Sequence, residues 1–477
     1  MLPLVRSTRA LMEPLIAVIG STGTGKSQLA VDLASRFNGE VINADAMQTY
    51  RGLPITTNQV QPHEMNGIPH HLIAINSIEQ EPWQVGVFRR ECLKTIREIR
   101  SRGKLPVLVG GTHYYTQAVL FNEPLVDSRA EEDAEAAQPK EGDRPTDAAE
   151  QERFEILDRS PAEILERLRE VDPVMASRWH PNEDRKIRRS LEIYLQTGRR
   201  ASEIYDEQRR LKQVAQQNTE DAIGNLRFPT VIFWVHSAAD VLKKRLDNRV
   251  DAMEERGMIT EAESLFNYLQ EKREQGIDVD RTRGVWVSIG FKELEPYFEA
   301  IREGGHDEQY LKRLKQTCLE AVKSSTRKYA KQQIKWIRGK LWNGLVAAGS
   351  EDRLFVVDTT NPSNWDHDAL GPAEKVTTAF LNGKTLMNPL KVSAFAKETL
   401  QPLWDTKSAV SSNDPVQNVT CDICRVTVLS GPQWLGHVQS ARHRRCVKLA
   451  EKRAEMYRNN PHYRAAKEAR ARSSSPS

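Results

Sequence analysis

Eight consecutive residues, Gly20-Ser21-Thr22-Gly23-Thr24-Gly25-Lys26-Ser27, fit the pattern G-x-x-x-x-G-K-[ST] in full. The glycines permit backbone turns that a Cβ would block. Successive N–H groups of such a turn point inward and cradle phosphate oxygens at the head of a helix. Lys26 adds a positive charge, and the Ser27 hydroxyl can reach Mg²⁺ or a phosphate. An apolar run at 15–19 precedes the loop. After it, Leu29, Ala30, Leu33, Ala34 and Phe37 recur at helical spacing. The strand–loop–helix context of a phosphate loop is therefore met. This identifies a phosphorylated ligand and leaves the reaction open. A kinase or NTPase usually carries a Mg²⁺-holding acid after a later strand. Here the run 105–109 ends in Gly110-Gly111-Thr112, with no carboxylate.

A second candidate is Asp45, after Val41-Ile42-Asn43-Ala44. Ligands of open parallel sheets collect at the carboxyl ends of strands. A carboxylate there would face the phosphates as a general base or a metal ligand. Asp is equally a preferred helix N-cap, and the local residues leave both readings open. A third constellation is Cys421-x2-Cys424-x12-His437-x5-His443, the Cys2His2 spacing. Four such ligands close a tetrahedral shell, so a Zn²⁺ there would be structural. Trp434 and Leu435 can supply its small core. A basic helix follows, with Arg444, Arg445, Lys448, Lys452 and Arg453, a charge pattern suited to phosphate backbones.

The elements that must position these groups read as α/β. Short strands at 15–20, 40–45, 105–109 and 230–235 alternate with helices, which implies a P-loop parallel-sheet core. Residues 14–126 and 228–345 are expected to form that core. Residues 127–155 hold eleven acids against four bases and read as a solvated, disordered insertion. Residues 156–227 read as an inserted basic helical subdomain, 346–418 as a connecting region, 419–450 as the zinc finger, and 451–477 as a basic helix and tail. The 477 residues carry 69 basic and 65 acidic side chains, which excludes a uniformly basic chromatin-like protein. No apolar run is long enough for a membrane span. Five cysteines are too sparse for a secreted disulfide scaffold.

Several segments, in order, resemble the tRNA dimethylallyltransferase (isopentenyltransferase) family. They are GSTGTGKSQLA, NADAMQTYRGLPITTN, GIPHHL, FRRECLKTI and GKLPVLVGGTHYY, then VDPVMASRWHPNEDRKIRRSLEIYLQTGRRASE and SIGFKEL. The resemblance covers about residues 14–340, and the finger resembles an extension of the eukaryotic branch. It implies transfer of a dimethylallyl group from dimethylallyl diphosphate to N6 of the adenosine 3′ to the anticodon, position 37 of tRNA. The loop Gly20–Ser27 would then grip the diphosphate, usually with Mg²⁺. Asp45 would accept the proton from N6, Thr24 would sit near the bridging oxygen, and Arg249 would bind diphosphate. Asp45, Ala46, Met47, Gln48 and Thr112 match the tRNA-contacting positions near the site, with Gln48 as reader of the flipped base. Arg185, Lys186, Ile187, Arg188 and Arg189 match a second tRNA-contacting stretch, and the finger would add grip on the RNA. Two rivals remain on the residues: a P-loop kinase of a small metabolite, and an RNA-binding module with a vestigial loop. His70 and His71 are assigned no chemistry.

Residues 1–13 carry Arg6 and Arg9 and no acid before Glu13, a pattern similar to the start of a mitochondrial presequence. Met12 offers a second start that would keep the core. The expectation is a cytoplasmic monomer with mitochondrial and nuclear pools.

Overall fold

The computed structural model describes residues 13–122, 155–179, 183–215, 225–407, 418–429 and 432–459. The expected targeting segment up to residue 12, the acidic stretch up to residue 154 and the tail from residue 460 lie outside them. Six strands form one sheet: β1 (Leu15–Gly20), β2 (Gly39–Asn43), β3 (His70–His71), β4 (Leu105–Gly110), β5 (Thr230–His236) and β6 (Leu354–Asp358). Their order is β3-β2-β4-β1-β5-β6, and every pairing is parallel. Near-continuous apolar runs make β1, β4, β5 and β6, because helices cover both faces, whereas edge strand β3 is two half-buried histidines. Every residue of β1 is buried.

In chain order the helices are α1 (Lys26–Arg36), α2 (Val85–Ser101) and α3 (His113–Leu120), then α4 (Pro161–Val171), α5 (Pro173–Arg178), α6 (Asp184–Thr197) and α7 (Ala201–Ala215). After β5 come α8 (Ala239–Glu255), α9 (Met258–Glu274), α10 (Phe291–Glu303), α11 (Glu308–Trp336) and α12 (Trp342–Ala347), and after β6 come α13 (Gly371–Leu381) and α14 (Ala394–Lys407). The chain divides into two compact units, residues 1–128 with 212–407, and 129–211 with 408–477. In the first, α1 and α13 cover one face of the sheet, while α2, α3 and α14 cover the other. Helices α9, α10 and α11 pack around a third core that includes Leu265, Phe291 and Val322.

The reading of 346–418 as a connecting region needs correction. Leu354-Phe355-Val356-Val357 is a sixth strand, paired residue for residue with β5, for example Phe233 with Phe355. The run was too short to distinguish from loop by periodicity. Its burial against β5 and α13 decides the outcome.

In the second unit, α4, α6 and their neighbours bury Ile164, Leu168, Ile187 and Leu191. Buried Asp172 joins these helices, accepting from the N–H groups of Met175 (3.1 Å) and Ser202 (2.9 Å). Further on, β7 (Asn418–Thr420) and β8 (Thr427–Leu429) form a hairpin, followed by α15 (Pro432–Val438) and α16 (Ala441–Asn459). Among the described residues no helix is long and apolar enough to cross a membrane.

Candidate active site

Strand register brings the site together. Ile19 pairs with Gly110 and Gly20 with Val235, so the segments after β1, β4 and β5 leave the sheet at one level. The loop after β1 turns through left-handed Gly23 (φ 80°) and Gly25 (φ 85°), and Gly25 caps α1. Inside it, Ser21 turns its carbonyl inward. The Thr24 hydroxyl donates to that oxygen at 2.8 Å and the Lys26 ammonium at 2.7 Å. Thr24 is buried, and Ser27 is exposed on the first turn of α1. Burial draws the Lys26 ammonium down to about 8; nearby Asp45 opposes this and Arg249 adds to it.

Asp45 leaves β2 in a tight local turn. Its N–H donates to Asn43 Oδ1 at 3.0 Å, and its Oδ1 accepts from the Met47 N–H at 3.1 Å. That carboxylate oxygen closes a local Asx-type turn onto Met47, while Ala46 is the N-cap of the short turn Met47–Thr49. The other oxygen, Oδ2, lies beside Gly111, where a Cβ would come within 3.1 Å of it. Burial pushes the Asp45 carboxyl above its ordinary range, against the pull of Lys26, the Met47 N–H and Arg249. On α8, burial lowers the Arg249 guanidinium to about 10, with Asp45 opposing. Lys26, Asp45 and Arg249 thus share one electrostatic neighbourhood.

The remaining sequence candidates near Asp45 form its frame. The Thr112 hydroxyl accepts from the Ala46 N–H at 3.0 Å, tying the end of β4 to the end of β2. Met47 opens the short turn, and the Gln48 side chain donates to the Asn58 carbonyl at 3.0 Å.

Three residues at the site carry no obvious sequence signal. Gln333 of α11 accepts from the Thr22 N–H at 2.8 Å and donates to the Gly111 carbonyl at 2.9 Å. It clamps the phosphate loop to the Gly110–Thr112 turn. One turn earlier, Tyr329 lies near Thr112 and Gln333, and burial with Asp45 nearby pushes its phenol above its ordinary range. His113 is buried, and that burial, with Lys26 nearby, draws its imidazole down to about 3, so it is neutral. Only the i, i+4 spacing of Tyr329 and Gln333 and the adjacency of His113 to Thr112 could have pointed to them.

The second unit holds the other candidates. Arg185 and Lys186 are exposed on α6; Lys186 pairs with Glu183 and lies over the Trp179 ring. Arg188 donates to the Leu157 carbonyl at 2.6 Å, and Arg189 pairs with Glu192 at 2.7 Å. Ile187, grouped with them as an RNA contact, is fully buried in the helical core. Its side chain anchors the stretch and does not reach solvent, because the position falls on the apolar face of an amphipathic helix.

The ligand atoms of Cys421, Cys424, His437 and His443 lie within 4.8 Å of one another. His443 Nδ1 is 3.5 Å from both sulfurs and 3.2 Å from His437 Nε2. Those separations are the edges expected of a tetrahedron around Zn²⁺ with bonds of about 2.0–2.3 Å. The four residues fit the ion.

Known proteins match this architecture. A profile described as IPP transferase matches residues 48–340. The tRNA dimethylallyltransferase of Schizosaccharomyces pombe is 34% identical over 458 residues, covering 93% of this chain and 97% of that protein. The Homo sapiens tRNA dimethylallyltransferase is 30% identical over 438 residues, with 90% and 85% covered. That of Anoxybacillus flavithermus is 32% identical over 329 residues, covering only 69% of this chain but 88% of its own length. A crystal structure of a eukaryotic dimethylallyltransferase acting on tRNA superimposes with a TM-score of 0.67 at 32% identity, covering 93% of this chain and 99% of that one. The chain belongs to the IPP transferase family.

Proposed function

We propose that this prenyl transfer to tRNA uses dimethylallyl diphosphate as donor and N6 of the adenosine at position 37 as acceptor, releasing diphosphate. The new bond joins N6 to the allylic carbon. The bond from that carbon to the bridging oxygen breaks, and its electron pair leaves with the diphosphate. The N6 proton goes to Asp45. The observation that carries this reading is the Asp45 carboxylate beside the phosphate loop, with Lys26 and Arg249 in its field. A base there meets a nucleophile while the loop holds the leaving group.

Burial raises the proton affinity of Asp45, which favours proton acceptance at the moment of attack. Lys26, Arg249 and the loop N–H groups would stabilise the negative charge that develops on diphosphate. The Thr24 proton is committed to the Ser21 carbonyl at 2.8 Å. Serving the bridging oxygen requires that hydroxyl to rotate. Mg²⁺ would supply charge neutralisation at the diphosphate, and the exposed Ser27 hydroxyl is the oxygen the loop offers it. Zn²⁺ on Cys421, Cys424, His437 and His443 would be structural, with no open position. Gln48 would read the adenine edge, and Arg185 and Lys186 would contact phosphates.

The kinase alternative is not favoured, since relatives over most of the chain are dimethylallyltransferases. Mass spectrometry tests the reading directly. Unmodified anticodon stem-loop incubated with the protein, Mg²⁺ and dimethylallyl diphosphate should gain one C5H8 unit at the adenosine 3′ to the anticodon. An unchanged RNA mass would count against it.

A further inference from the structure

The family match ends at residue 340, yet the chain beyond it returns to the phosphate loop. The turn Trp365–Leu370 follows β6 and leads into α13. Trp365 Nε1 donates to Asp32 Oδ2 of α1 at 2.8 Å. The far edge of the same indole lies on Gly25. A Cβ built on that glycine would stand 3.1 Å from Cζ3 and 3.2 Å from Cη2. Gly25 is the left-handed residue that launches α1 and directly precedes Lys26.

The support behind Trp365 is solid. Leu370, Ala373, Val376 and Phe380 share one core with Leu29 and Leu33 of α1. At the far end of α1, Arg36 pairs with Glu374 at 3.2 Å. Ahead of the turn, the Thr360 hydroxyl accepts from the Ala238 N–H at 3.0 Å, and the Thr360 carbonyl accepts from Arg245 at 2.9 Å. The backbone that carries the indole is therefore held on both sides of Trp365, against a loop whose N–H groups must converge to bind an anion.

We propose that Trp365 is a positioning residue of the donor site: its indole walls Gly25 and holds the phosphate loop in the form that accepts diphosphate. It does not touch the substrate. A glycine-rich loop without that wall samples other conformations, and apparent affinity falls by the fraction that remains competent. Donor binding would thus depend on a segment outside the family match, and this inference rests on the donor assigned above.

The test uses the full-length protein with Trp365→Ala, Trp365→Phe and Asp32→Asn. Steady-state kinetics give KM for dimethylallyl diphosphate and for tRNA separately, and calorimetry gives Kd for inorganic diphosphate. Trp365→Ala should raise the donor KM and the diphosphate Kd about tenfold, as a competent fraction of about one in ten requires. The tRNA KM and kcat at saturating donor should stay at wild-type values. Trp365→Phe keeps a ring on Gly25 and loses the bond to Asp32, so it should give a smaller donor-specific rise. Asp32→Asn keeps an acceptor oxygen and should match wild type. Unchanged donor KM and diphosphate Kd in Trp365→Ala, or an equal rise in both KM values, would overturn the proposal. If Trp365→Ala does not fold, Trp365→Phe decides, and no donor-specific rise there would overturn it. Wild-type protein that binds diphosphate yet prenylates no RNA would defeat the assigned reaction instead, while the Kd comparison would still judge Trp365.

Discussion

Asp45 is asked to do two things with two oxygens. Oδ1 accepts from the Met47 N–H and fixes the side chain; Oδ2 lies beside Gly111, where the proposed reaction brings its nucleophile. Asp45→Ala should therefore lower kcat about 10²- to 10⁴-fold, the usual range for a lost general base. The Kd for tRNA, measured by filter binding, should stay near wild type. Equal losses in both would mean that Asp45 only positions RNA. The same residue sets a pH dependence. Burial raises its carboxyl, so kcat/KM for the donor should fall on the acid side at a higher pH than an ordinary carboxylate would give. On the alkaline side it should fall again above about pH 8, where Lys26 of the free enzyme loses its proton. Lys26→Ala should abolish that alkaline limb in a pH–rate profile. The phosphate loop and Asp45 were legible in the sequence because their geometry is local: a few neighbouring residues carry the turn and its ligand chemistry. The buried side chain of Ile187 was not legible for the complementary reason. A basic stretch on a helix includes whatever residue faces the core, and charge alone does not mark the buried position.

Elements decide what local residues cannot. Gln333 lies 311 positions from Thr22, yet it joins that loop to Gly111. It lies on a 29-residue helix with many polar side chains, so nothing in its spacing singles it out. Gln333→Leu should keep the volume and lose both bonds. Two backbone groups are then left without that partner, at about 1–3 kcal/mol each if buried. The expected readout is a raised donor KM with the fold intact by circular dichroism. Strand β6 was equally hidden, since four apolar residues can be strand or loop until a neighbour pairs with them. Glu40, at the start of β2, is a purely structural counterpart. It is 3% exposed and held by Arg102 (2.7 Å), Lys104 (3.0 Å) and His71 (2.6 Å). Hydrogen bonds from Arg102, Lys104 and His71 outweigh the cost of burial and draw its carboxyl down to about 2. A depressed folded-state value means stability that is present above the unfolded value of about 4.3 and lost as pH falls toward about 2. Glu40→Gln should lower stability by about 3 kcal/mol near neutral pH, read by urea unfolding, and flatten that acid dependence. His71 thus has a structural partner in Glu40.

At the scale of the whole molecule, the chain divides into two compact units, and the proposed chemistry and the proposed grip on RNA fall to different ones. The finger's ligands come from a hairpin and two helices of the second unit, and none comes from the sheet. Cys421→Ser should release the zinc, detected with a chromogenic chelator, and weaken tRNA binding. Thermal unfolding of the sheet-bearing unit should be unaffected, and loss of its transition would contradict the division. The central claim is that a five-carbon group passes from its diphosphate to a base nitrogen between the loop N–H groups and Asp45. The most direct measurement supplies unmodified tRNA with dimethylallyl diphosphate labelled in its five-carbon group, or with γ-labelled ATP in a parallel reaction. Label should enter RNA only from the prenyl donor, map to the adenosine 3′ to the anticodon, and be lost with Asp45→Ala. Label arriving from ATP, or prenyl transfer undiminished in that variant, would contradict the claim.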